Sequence, residues 1–450
     1  MKKVIAIIIT LLLNISFICG CSKTTTKANI YPSIIPNYEK YKEDKKLEIL
    51  AFWSPPITYT QYSQMVECGF SSVIIDAKYD AIPGSEQLLN AINLCTDVGI
   101  KGYPVVLRGS DLTSTFKTDY TGMDGFAGLY TDEPITRAEM DILESNIAVL
   151  KEKYPNAEYL TTLTGGNPRG SDFDSYEEYV DYYVKNAGKY ADVFLHDCYP
   201  LIGHGYESEI EDVWLQSLET ISSAGQSANK KYYTFIASMS IKNDSKRRPL
   251  ENDLRYQAYV DLAYGASGIA YFCYMSPALP PFDAFGMNDY ALIEGDYYNL
   301  DDYSTYNKTE TWYSAQRVNE ELLSFDHVYL SYDWIGVMFS PGTNPKTKAG
   351  KCFDKATKNL MSYERINSVT STDDAIVGCF KDSNNYDGFM VVNFADPYNN
   401  KDKNIITIDF RDARKAIVYI KGEKNIVELT NGIYEAEYEA GEGRFIIPIA

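Results

Sequence analysis

Between residues 46 and 325, short runs of apolar and β-branched residues alternate with longer amphipathic stretches. The short runs lie at 47–53, 72–76, 102–107, 127–131, 158–163, 192–199, 231–237 and 268–274. Apolar residues fill consecutive positions in them rather than every second one, which predicts strands buried on both faces. The stretches between them, at 62–68, 86–98, 137–153, 176–187, 210–224 and 254–264, repeat apolar residues at the spacing of one helix face, and a further helix is expected at 312–323. The third connection, 109–124, is rich in Gly, Asp and Thr and has no clear helical period. Strand and helix in alternation specify a parallel sheet covered by helices. Eight such units in about 280 residues predict an α/β fold, a (β/α)8 TIM barrel over 46–325. A doubly wound sheet is the alternative, and the count of eight favours the barrel.

After residue 325 the texture changes. Runs at 334–339, 375–380, 388–394, 404–410, 415–420 and 444–449 are short, β-branched and separated by Asn, Asp, Gly and Lys. This predicts a C-terminal antiparallel β-sandwich over 326–450.

The first twenty residues read as an address. Lys2 and Lys3 precede a nearly continuous apolar run over 4–18, which ends at Ile18-Cys19-Gly20-Cys21. That ending resembles the bacterial lipobox, which implies a signal peptide over 1–20, cleavage before Cys21 and lipidation of its thiol. Residues 21–45, Lys- and Thr-rich at the start, then read as a polar tether. The expectation is an exported protein held on the outer face of the cell membrane by its lipid alone.

Charge and composition narrow the partners. With 62 acidic and 42 basic residues the formal charge is −20, a surface that repels phosphate backbones, so nucleic acid is not an expected partner. The chain carries 39 Tyr, whose flat faces and hydroxyls suit sugar rings, although core packing also uses them. Beyond Cys21 six cysteines are spread without a disulfide framework, and buried thiols are the default reading. With three His and no CxxC, HxH or HExxH, neither a metal nor a cofactor is expected.

In a barrel the residues at the C-terminal ends of the strands line the site. Those ends are Trp53, Asp76, Arg108, the run Tyr130-Thr131-Asp132-Glu133-Pro134, His196-Asp197-Cys198-Tyr199-Pro200, Ser238-Met239-Ser240 and Tyr271-Phe272-Cys273-Tyr274. Asp132-Glu133-Pro134 is the sharpest signal. Pro134 keeps Glu133 extended, and Thr136 with Glu139 fits a capping box, so neither acid is needed to start the next helix. Adjacent carboxylates repel, which favours a protonated form of one of them, as a general acid requires.

Gly128 to Pro134 resembles the fourth-strand motif of TIM-barrel glycoside hydrolases. Clan A enzymes carry Asn-Glu there, whereas glycoside hydrolase family 123 and the broader family 20 group carry Asp-Glu. Arg248-Pro249, the run Ala263 to Ile269 and Asn319-Glu320-Glu321-Leu322 are similar to later parts of such barrels. The resemblance implies Glu133 as acid and Asp132 as the carboxylate that orients a substrate 2-acetamido group, which itself attacks the anomeric carbon. One departure stands out: clan A enzymes place a nucleophilic Glu after strand seven, where this chain has Ser238-Met239-Ser240 and, further on, Asp244. Either the substrate supplies the nucleophile, or Asp197 or Asp76 works with Glu133, their separation setting retention or inversion.

Strand alternation puts Asp197 and Tyr199 on one face and His196 and Cys198 on the other. Trp53, Tyr130, Tyr271 and Tyr274 are candidate stacking platforms, Arg108 a partner for either acid, and His204, in a Gly-His-Gly loop, a ligand contact. The chain thus reads as a glycoside hydrolase of extracellular oligo- or polysaccharides and glycoconjugates, with an N-acetylhexosaminide as the specific expectation. A non-catalytic carbohydrate-binding lipoprotein is the alternative, and a surface adhesin leaves Asp132-Glu133 without a role.

Overall fold

The computed structural model describes residues 31–450 apart from 35, 77–81, 107–118, 167, 203–208, 211–212, 241–246, 276–290, 296–305, 344–349, 357 and 399–401. Cys21, Arg108, His204 and Asp244 fall outside the described residues.

Eight parallel strands close into a barrel: β1 (Glu48–Ala51), β2 (Ser72–Ile75), β3 (Lys101–Val106), β4 (Gly128–Thr131), β5 (Glu158–Thr164), β6 (Val193–Asp197), β7 (Lys231–Ala237) and β8 (Gly268–Phe272). The helices between and after them are α1 (Tyr59–Glu67), α2 (Glu86–Val98), α3 (Arg137–Lys153), α4 (Tyr176–Lys185), α5 (Trp214–Ala228), α6 (Glu251–Ala263) and α7 (Glu310–Leu323). Thr58, Ser85, Thr136 and Ser175 each cap the helix that follows, accepting a backbone N–H three residues on. α5 begins a turn later than its periodicity predicts, because Ile210 pairs with Leu201 in a short antiparallel ladder instead of opening the helix.

The inside of the barrel is packed with Leu50, Phe52, Ile74, Tyr103, Tyr130, Leu160, Val193, Leu195, Tyr233 and Phe235. Its N-terminal end is closed by alternating charges from the first residues of the odd-numbered strands. Lys101 Nζ lies 2.9 Å from Glu48 Oε2, Lys231 Nζ 2.8 Å from Glu158 Oε1, and Tyr103 donates to Glu158 Oε2 at 2.6 Å. Chemistry is thereby left to the other end.

Asp261 of α6 is fully buried against β7, where Thr234 donates to its Oδ2 at 3.1 Å. Burial raises its pKa well above the usual carboxylate value. The folded state therefore holds a proton that the unfolded chain releases near pH 4, and stability falls as pH rises above that point. Asp261→Asn keeps the shape and the acceptor without the charge. It should melt higher than the parent at pH 8, with the gap closing toward pH 4, as thermal scans at both values would show.

The second domain has two sheets. β9 (Tyr332–Ser340), β11 (Ala375–Asp382), β12 (Asp387–Asn393), β17 (Gly443–Ile449), β14 (Lys415–Ile420) and β15 (Glu423–Glu428) form six strands in the order β9-β11-β12-β17-β14-β15. Opposite them lie β10 (Ser368–Ser371), β13 (Asn404–Asp409) and β16 (Ile433–Tyr438) in the order β10-β13-β16. One face of the large sheet, through Val377, Phe389, Val391 and Ile446, meets Ile406, Ile408 and Tyr438 of the small one. Its other face, through Ile376, Met390, Val392 and Phe445, belongs to the barrel's outer core. A Cβ on Gly378 would stand 2.4 Å from the Ala263 carbonyl oxygen, so glycine lets β11 lie directly on the end of α6.

Tyr31 and Tyr38, expected within the polar tether, lie on this domain instead. Tyr31 is buried in the sandwich core and donates to the Arg365 carbonyl at 2.6 Å, while Tyr38 donates to Asp382 Oδ2 at 3.0 Å. Tyr31 and Tyr38 supply apolar faces that the Lys/Thr-rich stretch before them lacks.

Candidate active site

The C-terminal ends of β1, β4, β6 and β8 bring together carboxylates and aromatic rings. Thr136 and Glu139 form the capping box of α3: the Thr136 hydroxyl accepts the Glu139 N–H at 3.2 Å, and Glu139 Oε2 accepts the Thr136 N–H at 3.2 Å. Asp132 and Glu133 precede it and are not part of it. Asp132 is exposed and Glu133 partly exposed.

Asp132 is held from below. Tyr130 points into the barrel, 1% exposed, and donates to Asp132 Oδ1 at 2.9 Å, while its hydroxyl also meets Thr162 Oγ1 at 2.7 Å. Its proton goes to the carboxylate, so the Thr162 hydroxyl donates to Tyr130 in turn. Burial first, then the Asp132 charge, keeps the Tyr130 hydroxyl protonated far above the ordinary tyrosine range. The same holds for Tyr199, whose hydroxyl is hydrogen-bonded to Asp197 and senses the charges of Asp197 and Glu133. Glu133 is also felt at Tyr179 of α4, and Asp197 at Tyr130. Tyr130 thus senses the charges of Asp132 and Asp197, and Tyr199 those of Asp197 and Glu133, so the three acids lie near these two tyrosines at the strand ends. Asp76, 8% exposed, acts instead on Tyr62 of α1.

From Tyr199, beside Asp197, a row of aromatic rings runs along the rim. Tyr199 and Phe272 have ring centroids 4.8 Å apart, and Phe272 and Trp53 5.2 Å. All three are partly exposed. Trp53 has φ 59°, a left-handed conformation that a bulky residue seldom adopts, and it turns the chain out of β1 at the rim.

Three expected platforms, Tyr130, Tyr271 and Tyr274, are corrected. Tyr130 lies inside the packed barrel and serves Asp132 rather than a sugar face. Tyr274 is fully buried on the outer side, accepting the indole N–H of Trp312 in α7 at 3.3 Å, and Tyr271 likewise donates to Asn319 Oδ1 at 2.7 Å. The inward residue of that strand end is Phe272, which sequence reasoning passed over. Its parity with Ala270 is the signal that finds it, since Ala270 faces the barrel interior. His196 faces outward, bonded to Ser217 of α5 at 2.8 Å. After β7, Ser238, Met239 and Ser240 are all buried. Among the described residues no group of three or more His, Cys, Asp or Glu is placed to hold a metal ion.

No protein-family model matches the chain, and no curated protein matches it. Solved structures do. The chain is similar to a β-galactosidase from the psychrophilic Marinomonas ef1, with 10% identity, 68% of this chain and 65% of that one covered, and a TM-score of 0.47. It is similar to an Anoxybacillus α-amylase at 10% identity, covering 91% and 98%, with a TM-score of 0.46. A GH27 β-L-arabinopyranosidase from Geobacillus stearothermophilus gives 9%, 92% and 98%, with a TM-score of 0.46. The chain spans less than two thirds of the Marinomonas protein. At such identities no residue role carries over, and the chemistry rests on this chain's own side chains.

Proposed function

We propose that the protein is a glycoside hydrolase of extracellular glycans, with an N-acetylhexosaminide as substrate and Glu133 as general acid. The observation that carries this reading is the fixed Asp132. The buried Tyr130 hydroxyl, itself held by Thr162, anchors its Oδ1, while the residue as a whole is exposed at the barrel mouth, where a ligand can reach it. A carboxylate pinned in this way suits the N–H of a 2-acetamido group. Oriented by it, the acetamide oxygen attacks the anomeric carbon as Glu133 gives its proton to the leaving oxygen. Water then opens the oxazolinium ring, and Glu133 recovers its proton from that water. The buried Ser238-Met239-Ser240 after β7 favours this route over a protein nucleophile at that strand end. Trp53, Phe272 and Tyr199 offer the apolar surface for the sugar's C–H face, and Asp197 a hydroxyl acceptor. Export and lipidation at Cys21 complete the proposal, and Cys21→Ala should abolish incorporation of labelled palmitate.

A panel of nitrophenyl glycosides, with and without 2-acetamido groups, tests the reading on residues 28–450. Turnover confined to acetamido sugars and lowered in Glu133→Gln is the expected result. Turnover of plain hexosides would move the second role to Asp197 or Asp76. Binding of glycans without cleavage of either the panel or longer chains would make the protein a carbohydrate-binding lipoprotein.

A further inference from the structure

Arg247 sits in the connection from β7 to α6, 7% exposed, and ties three parts of the molecule together. Its backbone N–H donates to the Leu201 carbonyl at 3.3 Å, which reaches the connection that leaves β6 four residues after Asp197. Its guanidinium is bidentate to Asp253 in the first turn of α6, at 2.6 and 2.7 Å. Its Nη2 also donates to Asp396 at 3.3 Å, and Asp396 follows β12 in the second domain. The ring of Tyr398 lies over the guanidinium, 4.6 Å from it, and the Tyr398 N–H donates to Asp396 Oδ1 at 3.0 Å. Next to this cluster, Phe394 of the second domain stacks on Tyr256 of α6 with centroids 5.7 Å apart. One buried cation thus faces two buried carboxylates from different domains. The arrangement is costly to desolvate, and packing alone does not require it.

We infer that Arg247 is a positioning residue, and that the second domain, through Asp396 and Tyr398, clamps the β6 and β7 connections beside Asp197. The consequence for turnover rests on the function proposed above; the clamp itself does not. Asp396→Asn removes one charge and leaves Arg247 paired with Asp253, so the domain should still fold. Arg247→Lys keeps the charge but loses the fork, and serves as the second variant.

Hydrogen exchange tests the clamp without any substrate. In both variants, peptides covering 198–202 and 247–254 should exchange faster, while those of β1 to β4 keep the parent rates. Unchanged exchange at 198–202 and 247–254 overturns the inference, and so does a uniform increase across the barrel, which would mark a purely structural pair. With a substrate that the parent turns over, kcat should fall by about 10- to 100-fold while KM stays near the parent value, since a misplacement of about 1 Å carries a cost of that order. Faster exchange with unchanged kcat would overturn the positioning role. A parent inactive on every glycan would refute the hydrolase reading, and the exchange data alone would then decide the clamp.

Discussion

Glu133→Gln is expected to lower kcat by about 10²- to 10⁴-fold, the usual contribution of a positioned proton donor. Glu133 is partly exposed and takes no part in capping α3, and a thermal scan of the variant beside the parent separates lost chemistry from lost fold. The loss should depend on the leaving group. A nitrophenolate departs with little help, whereas a sugar alkoxide needs the proton, so the deficit should be larger on a chitooligosaccharide than on a nitrophenyl glycoside. Equal losses on both would point to a role other than acid. Asp132→Asn isolates the orienting role. It should cost activity on acetamido sugars, because the oriented N–H loses its charged acceptor. If Glu133→Gln leaves kcat unchanged on every substrate, the site is elsewhere.

The second large effect concerns acid stability and belongs to His196. Its Nε2 lies 2.8 Å from Ser217 Oγ, and that hydroxyl already donates to the Trp214 carbonyl at 2.8 Å. Nε2 therefore carries the hydrogen, and Nδ1 is the site that a second proton would take. Burial pushes the pKa down to about 3. The unfolded chain binds this proton near pH 6.5, so the folded state is fully favoured above that value and loses ground as pH falls toward 3. The linkage amounts to about 3 kcal/mol between pH 7 and pH 4. His196→Gln retains a donor for Ser217 and has no such titration. Its stability relative to the parent should therefore improve by about 3 kcal/mol across that range, read from urea unfolding at both pH values. A constant difference between the two proteins would show that His196 is charged or solvated in the folded state.

Much of the fold is legible in the chain itself. Helix starts are readable because Ser85, Thr136 and Ser175 are capping residues placed directly before an amphipathic run. Asp132-Glu133-Pro134 stands out because Thr136 and Glu139 already start the next helix, so neither acid is needed as its cap. The strand positions follow from their length and their continuous apolar character. That same continuity hides which side of each strand faces inward. β8 is buried at nearly every residue, so no polar alternation marks its parity, and Tyr271 and Tyr274 look as eligible as Phe272. β12 and β17 read the same way because the large sheet is covered on both faces, by the small sheet and by the barrel.

By itself, the sequence determined the strands and helices of the barrel with their order, six of the nine strands of the second domain, and the pair of acids at the fourth strand tip, since these depend on residues within a few positions of one another. The tertiary structure alone decided that Tyr130, backed by Thr162, holds Asp132, that Phe272 joins Trp53 and Tyr199, that Tyr31 and Tyr38 pack on the sandwich, and that Asp396 reaches Arg247. Each of those is a contact between side chains whose facing or partner is fixed by barrel closure and domain packing, for which local spacing carries no signal.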